Sequence, residues 1–125
     1  MEVDLRLMRT DRKNEIVELT FHFAIKVVAF AEKLEKQGKY VVAKQILRSG
    51  TAIGANVREA QNAESRADFI HKFKIAAKEA DETAYWLALC EHAESYPTGE
   101  GLEKELIIIM KVISKIISTT KRAVK

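Results

Sequence analysis

The chain holds one cysteine, Cys90. A lone thiol cannot close an internal disulfide, so a reducing, cytoplasmic setting is expected. Proline occurs once and glycine five times in 125 residues. A fold of many short strands needs more turn residues than that, so a few long helices are expected. Long hydrophobic runs are missing too. The longest is Ala84–Cys90, seven residues, and the purely aliphatic Leu106–Met110 is five, against the ~20 that span a bilayer, so no membrane partner is expected. The opening Met1-Glu2-Val3-Asp4-Leu5-Arg6 carries acids and no apolar stretch, unlike a secretion signal. No phosphate loop, zinc knuckle or nucleophile elbow is present.

What remains is a mass of 14.2 kDa, 47% hydrophobic and 31% charged residues. That composition suits one globular domain over 1–125 with a real core. Gly38 follows Glu35-Lys36-Gln37 and reads as the residue just past a helix end. Ser65 and Asp68 read as a capping box, and Pro97-Thr98-Gly99-Glu100-Gly101 is the strongest turn. These marks predict helices over about 15–37, 40–64, 66–95 and 101–122, after a polar lead-in at 1–13. The fold expected is an all-α, antiparallel up-down-up-down four-helix bundle.

Periodicity supports that division. Ile16, Thr20, Phe23, Val27, Phe30 and Leu34 recur at alternating steps of four and three, with a second ridge of Val17, Phe21, Ala24, Val28 and Ala31 beside them. The third helix offers Phe69, Phe73, Ala76, Ala80, Thr83, Leu87 and Cys90. In the fourth, Leu102, Leu106, Ile109, Met110, Val112, Ile113, Ile116 and Ile117 cover an arc of about 160°. Ile107 and Ile108 fall outside that arc, one on each side. Either they are tolerated surface residues, or a second subunit covers this helix with Val112 nearby. Gly50 and Gly54 share one face of the second helix, where each glycine costs about 1 kcal/mol relative to alanine. Close approach of a neighbouring helix offsets that; a helix break or ligand cleft is the alternative.

Chemistry is harder to find. His22, His71 and His92 do not complete the paired Glu-x-x-His pattern of a di-iron bundle, because Asp68-Phe69-Ile70-His71 has no counterpart. Neither metal nor cofactor is expected. Cys90 continues a core stripe and reads as an inert thiol. Glu79, Asp81 and Glu82 read as a solvated charged face. Charge is more informative. Residues 106–125 carry Lys111, Lys115, Lys121, Arg122 and Lys125 without one acid, whereas 79–105 hold eight acids against Lys104. Folding the helices up and down gathers Arg58, Arg66, Lys72, Lys74, Lys121, Arg122 and Lys125 toward one end. Lys104, Lys111, Lys115 and Arg122 share a narrow stripe opposite the core of the fourth helix. Helix-end charge complement explains these cations. So does a basic pole for RNA or DNA, using Arg66, Lys72, Lys74, Lys111, Lys115, Lys121, Arg122 and Lys125.

The stretch Leu47-Arg48-Ser49-Gly50-Thr51-Ala52-Ile53-Gly54-Ala55-Asn56-Val57-Arg58-Glu59-Ala60, then Phe69 and Ala76-Ala77-Lys78-Glu79-Ala80, resembles the small four helix bundle protein family. Members of that family include proteins encoded in intervening sequences of bacterial 23S ribosomal RNA genes. Arg48, Ile53, Asn56, Val57, Glu59, Arg66 and Phe69 fall in register with its pattern, while Ala52 and Ala60 replace a Ser and a Gly. The resemblance implies an up-down-up-down bundle and, from relatives, a homopentamer. It also links the chain, more distantly, to basic pentameric accessory proteins of diversity-generating retroelements, which work with a reverse transcriptase and nucleic acid. Arg48, Gly50, Ile53, Gly54, Asn56, Glu59 and Arg66 are then structural or interface residues, the polar ones bridging helices or subunits. Three functional readings follow: a homo-oligomeric scaffold whose basic pole binds RNA or DNA; the same scaffold acting through an unidentified protein partner; and an enzyme or small-molecule binder. Catalysis is not expected.

Overall fold

Helix ends follow local chemistry. The computed structural model describes residues 14–123, so the lead-in at 1–13 and the cation Lys125 lie outside the described residues. Four α-helices result: α1 (Glu15–Lys36), α2 (Tyr40–Ala60), α3 (Arg66–His92) and α4 (Leu102–Ala123). Gly38 sits at φ +78°, and paired bonds from Gly38 N–H to Glu35 O and from Lys39 N–H to Leu34 O close α1. Ser65 Oγ caps α3 by accepting from Asp68 N–H at 3.0 Å. Asp68 accepts from Glu64 N–H at 3.3 Å, one residue beyond the Ser65 N–H of the reciprocal box expected.

Two helices stop earlier than the sequence suggests. α2 ends at Ala60 because Gln61, Asn62 and Ala63 turn back onto Arg58, Glu59 and Ala60 through three-residue bonds. The Gln61 side chain then spans two helices, donating to Val57 O and accepting from Asn14 Nδ2. α3 ends at His92, and Ser95 adopts φ +68° in the connection that follows.

α1 packs against α2 and α4, and α3 against the same two, closing a four-helix bundle. The core is one apolar cluster. Phe23, Val27 and Leu34 from α1 meet Ile46, Ile53 and Val57 from α2, Phe73, Leu87 and Cys90 from α3, and Leu102, Leu106, Ile109 and Ile113 from α4. Each large side chain so enclosed contributes roughly 1.5–3 kcal/mol. All six residues of the first α1 ridge are buried. The second ridge is not uniform: Val17 and Ala31 are buried, but Phe21 and Val28 are exposed. The reason is positional. α1 has two helical neighbours, and its outer side meets neither.

Gly50 and Gly54 lie where α2 presses on α1. A Cβ on Gly50 would sit 2.8 Å from Val27 Cγ1, and one on Gly54 would sit 3.3 Å from the Thr20 carbonyl oxygen. Thr20 itself is buried, its hydroxyl donating to Ile16 O at 2.8 Å.

Candidate functional site

The motif residues of α2 point to different neighbours. Arg48 lies across α3. Its Nη2 donates to Glu82 Oε1 at 2.6 Å, and its Nη1 lies 3.3 Å from Glu79 Oε1. Glu79 and Glu82 are three apart and therefore share a helix face. Of the solvated acidic face expected from the sequence, Asp81 is exposed, whereas this arginine draws Glu79 and Glu82 in to half-buried positions. Glu79 Oε1 is enclosed and accepts no well-aligned hydrogen bond despite that ion pair. Trp86 Nε1 donates to Glu82 Oε2 at 3.1 Å. The Arg48 guanidinium, followed by the Trp86 indole, holds the Glu82 carboxyl below its ordinary range. Arg48 is pushed up in turn, chiefly by Glu82 and then by Glu79.

Beneath this cluster, Ser49 and Thr83 are fully buried with their hydroxyl oxygens 2.9 Å apart. Thr83 has one proton and two nearby acceptors. The pair is satisfied when Thr83 donates to Glu79 O at 2.8 Å and Ser49 donates to Thr83. Sequence reasoning placed Thr83 in a core stripe but missed this α2–α3 bond. A hydroxyl at a core position on each of two adjacent helices was the available signal.

The other motif residues divide. Glu59 on exposed α2 surface accepts from Lys72 Nζ of α3 at 2.9 Å, which raises the lysine's pKa. Ile53 is buried. Asn56 bonds within its own helix, donating to Ala52 O at 2.9 Å. Arg66 is exposed and makes no hydrogen bond or salt bridge among the described residues.

The cations read as a basic pole are not equivalent. Lys72 is engaged by Glu59. Lys74, Lys111, Lys115, Lys121 and Arg122 are exposed and form no salt bridge among the described residues, although Arg122 donates to Ser118 Oγ. The same end of the bundle also carries Glu15, Glu18, Glu59, Glu64 and Asp68 at the α1 start and around the α2–α3 turn. The pole is therefore mixed in charge, and its uninterrupted basic portion is the outer stripe of α4.

On α4, Ile107 and Ile108 are 48% and 52% exposed. Val112 is half-buried and lines an open cleft with Ile16, Phe69, Phe73 and Ile116, so it faces its own subunit more than solvent. Cys90 is buried, and desolvation raises its thiol pKa. Among the described residues, no group of three or more His, Cys, Asp and Glu is placed to hold a metal ion. Nor is any helix there long and apolar enough to cross a membrane.

The class this defines is a closed four-helix bundle in which two polar motif residues, Arg48 and Glu59, tie α2 to α3. The chain belongs to the 23S rRNA-intervening sequence protein family, whose model matches residues 12–118. It is similar to a solved protein of unknown function from the S23 ribosomal protein family of Bacteroides thetaiotaomicron. The two are 44% identical, with 82% of this chain and 97% of that one covered and a TM-score of 0.78. No curated protein matches the sequence.

Proposed function

We propose that this protein is a non-catalytic, self-associating helical scaffold, with a ring of five favoured by the family resemblance. The observation that carries the reading is the pair Ile107 and Ile108, about half exposed on the outer side of a helix whose other large apolar residues are in the core or packed against it. Neighbouring large aliphatics left in water at mid-helix mark a surface that another chain covers. The motif residues support it by serving structure: Arg48 and Glu59 are spent on α3 contacts. Changing Ile107 and Ile108 together to Glu tests it. Both lie outside the core, so the helices should remain while the assembly dissociates, because charges do not enter an apolar interface without partners.

A second reading rests on a separate observation. Lys104, Lys111, Lys115 and Arg122 run along one exposed stripe of α4, and none forms a salt bridge among the described residues. Such a stripe can follow a phosphate backbone without reading sequence. It lacks the aromatic residues that stack bases, so binding to RNA or DNA would be electrostatic and steeply salt-dependent. Changing Lys115, Lys121 and Arg122 together to Glu should abolish it with assembly intact. Absence of RNA and DNA binding by the wild-type protein at ~50 mM salt would leave the scaffold acting through a protein partner.

A further inference from the structure

The two exposed isoleucines of α4 are interleaved with cations. Ile107 and Ile108 flank a line of Lys104, Lys111 and Lys115, all exposed and without a salt bridge among the described residues. That outer face is an apolar centre in a basic surround. A second exposed apolar stripe lies on α1. There Phe21, Ile25 and Val28 are 45%, 52% and 40% exposed, bounded by Glu18 and Glu32. Neither acid forms a salt bridge among the described residues. Beside the stripe, Phe21, Ala24, Thr51 and Ala55 line an apolar groove of about 180 Å³ between α1 and α2. Contacts within the bundle fix the heights of the two faces. α1 and α4 run antiparallel, with Lys26 paired to Glu105 and Ile16 sharing a cleft with Ile116. Continuing that register sets Ile107 and Ile108 level with the span between Phe21 and Ile25. It sets Lys111 within one turn, ~5.4 Å, of the level of Glu18.

We propose that the α4 face of each copy packs on the α1 stripe of the next, head to tail, about a rotation axis parallel to the helices. This rests on the self-association reading and deepens it by naming what covers Ile107 and Ile108. Rotation about such an axis keeps every residue at its own height. The isoleucine pair therefore meets the partner's Phe21 and the partner's Ile25 at the edge of the groove, and Lys111 comes beside the partner's Glu18. Arg58, the cation of the groove, belongs to α2, one interhelical spacing of ~8–10 Å further on. The charges choose between pairings. α4 laid on a second α4 would set Lys104 and Lys111 against lysines, and α1 laid on a second α1 would set Glu18 and Glu32 against acids; both cost free energy. Of the three pairings, only the unlike faces match apolar with apolar and acid with base. Unlike faces repeat around a ring when the rotation closes, five copies included. Lys121 and Arg122 lie beyond the level of Glu15, where α1 begins, and Lys115 is turned about 40° from Lys111 toward its own α1. Those three cations stand at the edge of the contact, so the phosphate reading keeps its own residues.

Sedimentation equilibrium of the full chain at micromolar concentration and ~50 mM salt tests it. The wild-type protein is expected at several times 14.2 kDa. Ile25→Asp alters the α1 stripe alone and should bring the mass down to one chain, the effect also expected of Ile107→Glu with Ile108→Glu. Mixing these two variants one to one should give a species of twice the chain mass, since each supplies the face that the other lacks. Glu18→Lys and Lys111→Glu should each lower the mass, and the two together should restore it. Circular dichroism checks helix content for every variant. A mass unmoved by Ile25→Asp, no pairing in the mixture, or a charge swap that fails to restore the mass overturns the head-to-tail contact while leaving assembly through α4 standing. A monomeric wild-type protein overturns both.

Discussion

Gly50 shows how one missing methyl group sets a helix–helix distance. Its added Cβ would meet both Val27 methyls, at 2.8 and 2.9 Å. Val27 is fully buried, and a β-branched side chain in a helix has essentially one rotamer, so it cannot step aside. Gly50→Ala should therefore destabilise by about 1–2 kcal/mol despite the ~1 kcal/mol that helix propensity returns. In a Val27→Ala background the same change should become neutral or stabilising. Urea unfolding of the four proteins at one fixed protein concentration reads the coupling directly; a simple additive result would mean the contact is loose. Glu82 supplies a second residue-scale test. Its carboxyl is held low by Arg48 and Trp86, so the folded state binds its proton more weakly than the unfolded chain does. The stability it adds is present above the ordinary carboxylate pKa and is lost as pH falls through the lowered folded value. Glu82 is 36% exposed, so solvent screens the pair and the contribution is modest. The stability gap between wild type and Glu82→Gln should be full at pH 7 and should close at the acid end of the carboxylate range.

At the scale of elements, each helix shows how far hydrophobic spacing carries. The first α1 ridge and the α3 stripe from Phe73 to Cys90 are buried where their periodicity puts them, because a 3.6-residue repeat names a face regardless of neighbours. Phe21 and Val28 break the pattern for a reason spacing cannot hold: how many helices flank α1 is a property of topology. The α2 end at Ala60 was hidden likewise, since it depends on Gln61 turning toward Asn14, 47 positions away in sequence. Among candidate site residues, Arg48 stood out as a motif cation, but its partners Glu79 and Glu82 looked like surface charge until α3 lay beside α2. The Ser49–Thr83 bond makes this dependence measurable. Thr83→Val keeps the shape and leaves the Ser49 hydroxyl enclosed without its partner, so a loss of about 1–3 kcal/mol is expected. Adding Ser49→Ala should recover part of that loss, because both polar groups are then gone; no recovery would mean the bond does not join the helices.

Taken whole, the molecule is a bundle with a complete core and an incomplete exterior. Ile107 and Ile108 on α4 and Phe21, Ile25 and Val28 on α1 stay in water while the buried cluster is closed around all four helices. We propose that another chain of the assembly covers the α4 pair. The scaffold reading presupposes that the exposed aliphatics are interface. Solution mass tests that most directly. Light scattering or sedimentation of the full chain at micromolar concentration should give several times 14.2 kDa, falling when Ile107 and Ile108 are both changed to Glu with helix content unchanged. A stable species of 14.2 kDa at that concentration would contradict the account, for the exposed isoleucines would then be surface residues and no more.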